Sequence, residues 1–210
     1  MTVSTHNEEN EEKTHNINHN ILLKIDKYYD FGENFIFNDF DIFITRFNSL
    51  TLNELQRYKE KEGKNEYSIY GCSRKINTVS NIERKLLWVL EMNNTLNQIV
   101  GIGFINNIVS NTSHCVYSND KYNQIYYASP FHLNFIDGSC ILTEKEKNFI
   151  HFEFERSVFY GKSNLKRGQN ISKYPDARLK KKHLMFLLKL YISRNPSNVY
   201  EKVISKRVKI

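Results

Sequence analysis

Two apolar runs, Leu86–Met92 (LLWVLEM) and Gln98–Ile108 (QIVGIGFINNI), are separated by only five residues, Asn93-Asn94-Thr95-Leu96-Asn97. Asparagine tolerates positive φ at low cost, so the connection predicts a β-hairpin. Gly101 and Gly103 lie two apart and share one face of the second strand. Such a pair marks a bulge, a tight bend, or the close approach of another backbone or a ligand. Tyr67–Cys72, Ser113–Tyr117, Gln124–Ala128 and Leu133–Ile136 read as further short strands, with Pro130 limiting pairing between the last two. The chain holds only two alanines (Ala128 and Ala177) against thirteen tyrosines and fourteen phenylalanines, a balance that favours pleated structure. The centre of this chain must fold around a sheet.

Helical patterns flank that centre. Residues 35–44 alternate aromatic and aliphatic side chains on both parities and predict a strand buried on both faces or split by a turn at Asn38-Asp39. Thr51-Leu52-Asn53-Glu54 reads as a capping box opening a short helix that Gly63 ends, with Leu52 and Leu55 inward and the remainder charged surface. Residues 143–160 carry a capping box (Thr143, Glu146) and a closing Gly161, and their length favours a helix over the strand that their alternation also permits. Residues 178–193 place Leu184, Leu187, Leu188 and Tyr191 at i, i+3, i+4 and i+7, an amphipathic helix stopped by Arg194-Asn195-Pro196.

The 210 residues, 40% hydrophobic and 25% charged, suffice for one ordinary domain. The expected division is a disordered polar tail over 1–20, a single α+β domain over 21–196 with its β core at about 65–142, and a basic extension over 197–210. No apolar run reaches the roughly 18–20 residues of a membrane helix, and the polar N-terminus lacks the pattern of a secretory signal. Cys72, Cys115 and Cys140 are an odd count with neither disulfide nor metal-clip spacing. These features predict an intracellular protein, in cytoplasm or nucleus, that is neither secreted nor membrane-bound, needs no cofactor and holds no structural metal. His6, His15 and His19 in the tail match no metal-site spacing.

Charge gives the functional direction. Residues 157–210 contain fourteen Lys and Arg against Asp176 and Glu201, net +12, whereas residues 1–156 are net −5. A basic third on an acidic body points to a polyanionic partner. The expected nucleic-acid contacts are Lys162, Lys166, Arg167, Arg178, Lys180, Lys181 and Lys182, with Tyr70, Trp88 and Tyr126 as candidate base-stacking rings in the β region. Gly161-Lys162-Ser163 resembles the end of a phosphate-binding P-loop, but Arg156 stands where the first glycine belongs. The histidines, cysteines and the Glu153/Glu155 pair compose no recognisable catalytic constellation, and His114 and Cys115, as neighbours on a predicted strand, should point to opposite faces. Whether the chain is an enzyme stays open at this level.

The segment Tyr70-Gly71-Cys72-Ser73, then Leu87–Met92, then Ile99-Val100-Gly101-Ile102-Gly103-Phe104-Ile105 resembles the PUA-like barrels, notably their EVE and YTH branches. The resemblance covers about 70–140. It implies a small closed β-barrel-type sheet and an RNA or DNA partner, with a modified base taken into an aromatic cage. The same hairpin is similar to the central hairpin of GNAT acetyltransferases, which implies acyl-CoA-dependent N-acetylation. The pyrophosphate loop of that family would have to be Arg167-Gly168-Gln169-Asn170-Ile171-Ser172. The texture of the chain also resembles proteins of large DNA viruses. The expectation is an α+β fold with a PUA-like sheet, helices at 51–62, 144–160 and 176–193, and nucleic-acid binding. Acetyl transfer and a protein-interaction module are the alternatives, and no obligate protein partner is implied.

Overall fold

The computed structural model describes residues 40–76, 86–110, 114–168 and 170–194. The expected polar tail, residues 21–39, Ser113 and the basic extension over 197–210 lie outside the described residues. The described residues from Phe40 to Lys180 belong to one unit, and the helix Lys181–Arg194 belongs to another and is described by itself.

The first unit runs β1 (Phe40–Phe47), α1 (Ser49–Lys61), β2 (Ser68–Cys72), β3 (Leu86–Asn93), β4 (Gln98–Asn106), a 3-10 turn, β5 (Ile125–Ser129) and β6 (His132–Asn134). After these come α2 (Glu144–Phe149), a π-helical turn (Ile150–Glu155), α3 (Arg156–Phe159) and β7 (Ser172–Lys173). The mixed five-stranded sheet has the order β6-β4-β3-β1-β7, and β2 pairs with β5 in a separate two-stranded sheet. The predicted hairpin is β3–β4, with Asn97 supplying positive φ (57°) in its turn. β1 lies parallel to β3, Phe43 opposite Val89 and Thr45 opposite Glu91.

The class is therefore α+β, as expected, but the sheet is not closed into a barrel. β5 pairs with β2 and β6 with β4, so the step between them, at Pro130, changes sheets. The outer strands β6 and β7 have three and two residues and pair on one side only.

One face of the large sheet carries Phe43, Phe47, Leu87, Val89 and Ile105. It packs with Ile69, Tyr70, Tyr126 and Tyr127 of the small sheet and Leu55 of α1 in a single apolar cluster. The residues of opposite parity, Ile42, Ile44, Trp88, Leu90 and Met92, are buried as well, so β1 and β3 bury apolar side chains on both faces. On α1 the N-cap is Asn48, three residues before the predicted one. Its Oδ1 accepts from Thr51 N–H at 2.8 Å while Thr51 Oγ1 accepts from Asn48 N–H at 3.1 Å, making Thr51 the third helical residue and not the cap. Gly63 closes that end at φ 63°. The predicted capping box of Thr143 and Glu146 is present, and the helical stretch runs on through the π turn to Phe159.

In the second unit α4 (Lys181–Arg194) buries Leu184, Leu187, Leu190 and Tyr191, with Leu188 half-buried and Lys181 and Lys182 exposed. No helix among the described residues is long and apolar enough to cross a membrane.

Candidate functional site

The basic loop between α3 and β7 is built from its carbonyls outward. Between Glu155 and Asp176 the chain has no acidic residue. Arg178 donates to Ser157 O at 2.7 Å and to Ser163 O at 2.8 Å. Arg46, on β1, donates from Nε to Leu165 O, and from Nη1 to Ser172 Oγ at 3.1 Å and Asn170 O at 3.5 Å. Asn94 Nδ2 donates to Lys166 O at 3.0 Å, and Lys166 Nζ donates to Asn97 Oδ1 at 2.7 Å, joining the loop to the β3–β4 turn. The carboxamide oxygen of Asn170 accepts from Ser73 N–H at 2.7 Å and from Ser73 Oγ at 2.9 Å.

Peptide acceptors are thus drawn inward by arginine and asparagine donors, while Lys162 and Arg167 stay exposed. Lys180 is exposed as well, but Arg178 and Lys166 are partly buried braces. Lys173 is neutralised by Asp176 at 2.8 Å and Asp41 at 3.6 Å. Sequence reasoning missed Arg46. Its signal was a charged residue inside the buried strand FDIFITRF.

A second polar constellation sits under the sheet. Glu91 of β3, 3% exposed, lies opposite Gly101, and the register slips beside it so that Val100 is an extra residue on β4. Tyr70 Oη donates to Glu91 Oε1 at 2.7 Å, and His132 Nε2 lies 3.0 Å from both carboxylate oxygens. Lys59 Nζ, buried at the end of α1, lies 3.2 Å from His132 Nδ1. An ammonium group can only donate, so it makes Nδ1 the acceptor and leaves Nε2–H to donate to Glu91.

Burial pushes the Glu91 carboxyl up, but His132, Lys59 and the Tyr70 hydroxyl outweigh it and hold the group below the usual carboxylate range. Burial likewise lowers the Lys59 pKa, opposed by Glu91 and Asp137. The glycine pair makes room for this network. A Cβ on Gly101 would collide with the Glu91 carboxylate, and one on Gly103 with the Tyr70 hydroxyl. The close approach expected at these glycines is made by the protein's own side chains.

The aromatic residues expected to stack on bases occupy the interior. Tyr70 is 1% exposed and bound to Glu91, and Trp88, 2% exposed, packs on Phe104 at 4.6 Å between ring centroids. Tyr126 is 5% exposed and already carries a stacked ring, His114, at 3.8 Å. A base needs an open ring face, which these three do not present to solvent. His114 also takes a 2.8 Å hydrogen bond with the Tyr58 hydroxyl, and with Cys115 it lines a cleft of about 400 Å³ beside Arg57 and Lys61. Both neighbours line this cleft, and residues 114–117 are irregular chain and not the predicted strand.

Cys115 is exposed, whereas Cys72 and Cys140 are buried, and burial raises the Cys72 thiol to about 12. At pH 8 a thiol reagent such as dithionitrobenzoate should therefore release one equivalent rapidly from the native chain and three after denaturation. Rapid release of two or three equivalents from the native chain would mean that the core opens on that timescale.

The expected pyrophosphate segment 167–172 leads into β7 and not into a helix. Among the described residues no group of three His, Cys, Asp or Glu side chains is placed to hold a metal ion. Comparison with family models, curated proteins and solved structures finds no match to this chain.

Proposed function

We propose that the chain binds nucleic acid, RNA or DNA, through the basic loop of residues 161–167. One observation carries the reading: twenty consecutive residues without a carboxylate, folded so that the loop's peptide acceptors turn inward and Lys162 and Arg167 turn to solvent. Such a surface presents donors and positive charge without competing anions, which suits a phosphate backbone. The braces hold the loop in one form, so less ordering entropy is lost on binding. Lys181 and Lys182 at the start of α4 offer a further, separately testable pair of cations. The PUA-like resemblance of residues 70–140 agrees with the same partner, on a sheet that is open in the form described. A nucleic-acid partner suits work in the cytoplasm or nucleus.

Fluorescence anisotropy with labelled single- and double-stranded RNA and DNA tests this. Two to four phosphate contacts predict that affinity falls roughly 10- to 100-fold between 50 and 200 mM salt. A Lys162→Ala/Arg167→Ala variant should lower the log–log salt slope by about 1.4–1.8. Lys181→Ala/Lys182→Ala, measured separately, reports whether α4 takes part. Absence of binding at 50 mM salt, or an unchanged slope in the loop variant, would overturn the proposal.

A further inference from the structure

Arg46 has an environment unusual for a partly buried cation. No carboxylate lies within ion-pair distance of it among the described residues. Its bonds go to two carbonyl oxygens and one hydroxyl, all neutral, and Nη2 has no acceptor among the described residues. Gly168, at φ 139°, lies against the guanidinium, where a Cβ would come to 3.2 Å of Cζ. The N–H groups of Arg167 and Gly168 likewise have no acceptor among the described residues. Burial alone bears on the Arg46 pKa, and it lowers it.

Neutral acceptors orient a guanidinium without cancelling its charge. What remains is a positive charge with an unused donor, beside Gly168 and at the base of a loop that carries the exposed cations Lys162 and Arg167. The complement of that arrangement is a tetrahedral oxyanion, which accepts two or more hydrogen bonds at once and supplies the missing counter-charge. An internal ion pair would have closed the site. A lysine on β1 would have given a point charge without the planar fork.

We propose that Arg46 is the anchoring donor of a phosphate-binding site at the root of the basic loop, seating one phosphate group with help from the Arg167–Gly168 backbone. The proposal rests on the nucleic-acid reading for the source of that phosphate, a backbone diester. Free phosphate offers the same chemistry and is the other source.

The two are separated by following the Arg46 Nε–Hε resonance in ¹H–¹⁵N spectra of the full chain, assigned by its loss in an Arg46→Lys variant. Inorganic phosphate is titrated against sodium chloride of matched ionic strength, and then a short single-stranded RNA is added. The expected result is a saturable shift of the Arg46 signal with phosphate and with RNA but not with chloride. Arg46→Lys should bind RNA about tenfold more weakly, the loss of one charge-assisted bond. Its salt slope should be nearly unchanged, because the charge is kept. The phosphate response is read on the wild-type chain, so it stands whatever the variant's stability.

A signal that phosphate leaves in place, or moves only as chloride does, overturns the site. RNA binding with a stationary Arg46 signal also overturns it and leaves the loop reading intact. A saturable phosphate shift without RNA binding keeps the anion site and removes the nucleic-acid reading.

Discussion

Replacing Glu91 with alanine is expected to lower the free energy of unfolding by about 3–5 kcal/mol, the usual cost of leaving a buried charge, here that of Lys59, uncompensated. The carboxylate is the only acceptor shared by the Tyr70 hydroxyl and the His132 Nε2–H in the buried network, and its charge balances that of Lys59. Alanine leaves those donors facing an apolar cluster, each with a desolvation penalty of its own. Against a typical domain stability of about 5–15 kcal/mol the loss is large. Glu91→Gln, which keeps an acceptor but no charge, should fall between the two.

The same group predicts a pH dependence. The folded chain holds the Glu91 pKa below its unfolded value, so the stabilisation is complete above the ordinary carboxylate range. It is lost as the pH falls through the lower folded value, where the native carboxylate finally protonates. Urea denaturation from pH 7 down to pH 3 measures both effects. An alanine variant as stable as wild type, or an acid limb unchanged in the glutamine variant, would show that the network contributes nothing.

Gly103→Ala is the second large effect, expected at about 1–3 kcal/mol or more of destabilisation from overpacking. The added methyl group would sit far inside contact distance of Tyr70 Oη and 2.7 Å from Ser68 Oγ. Neither neighbour can give way cheaply. Tyr70 is wholly enclosed and bound to Glu91, and Ser68 accepts from Phe104 N–H while donating to Phe131 O. Tyr70→Phe removes the atom that meets the methyl group first. The double variant should therefore be more stable than the sum of the two single losses predicts, a coupling of about 0.5 kcal/mol or more in a double-mutant cycle. Strict additivity would place the strain elsewhere.

Much of the local structure was legible because it depends on neighbours in sequence. The β3–β4 turn, the cap at Thr143 and the left-handed Gly63 each follow from a few adjacent residues. The buried network was not legible, because its four members come from α1, β2, β3 and β6 and meet only when the two sheets pack. Three signals were nevertheless present. Lys59 lies four residues after Leu55, on the apolar face of its helix and not on its charged one. Glu91 shares the parity of Leu87 and Val89 in an otherwise apolar strand, and two glycines stand on the strand beside it. Together they describe a charge that must be buried and the space made for it.

The burial of the aromatic rings was not legible for a related reason. Tyr70, Trp88 and Tyr126 have the composition of a stacking site, but composition does not distinguish a ring face turned to solvent from one turned to the core. Closure into a barrel depends on which strands become edges, and β5 and β6 pair in different sheets despite the two residues between them.

The pairing of β1 with β7 also imposes a timetable on synthesis. Ile44 meets Ser172, and Tyr174 N–H donates to Ile42 O at 2.8 Å, across about 130 residues of chain. At about 5–20 residues per second, β1 leaves the ribosome roughly 6–26 s before the strand that covers its outer edge. For that interval an apolar strand waits with backbone donors and acceptors exposed to any other nascent chain. The braces from Arg46 to Leu165, Asn170 and Ser172 form only when the same late segment arrives. A ribosome stalled before residue 165 would therefore hold a product with neither its edge sealed nor its basic loop assembled, a ready substrate for chaperones.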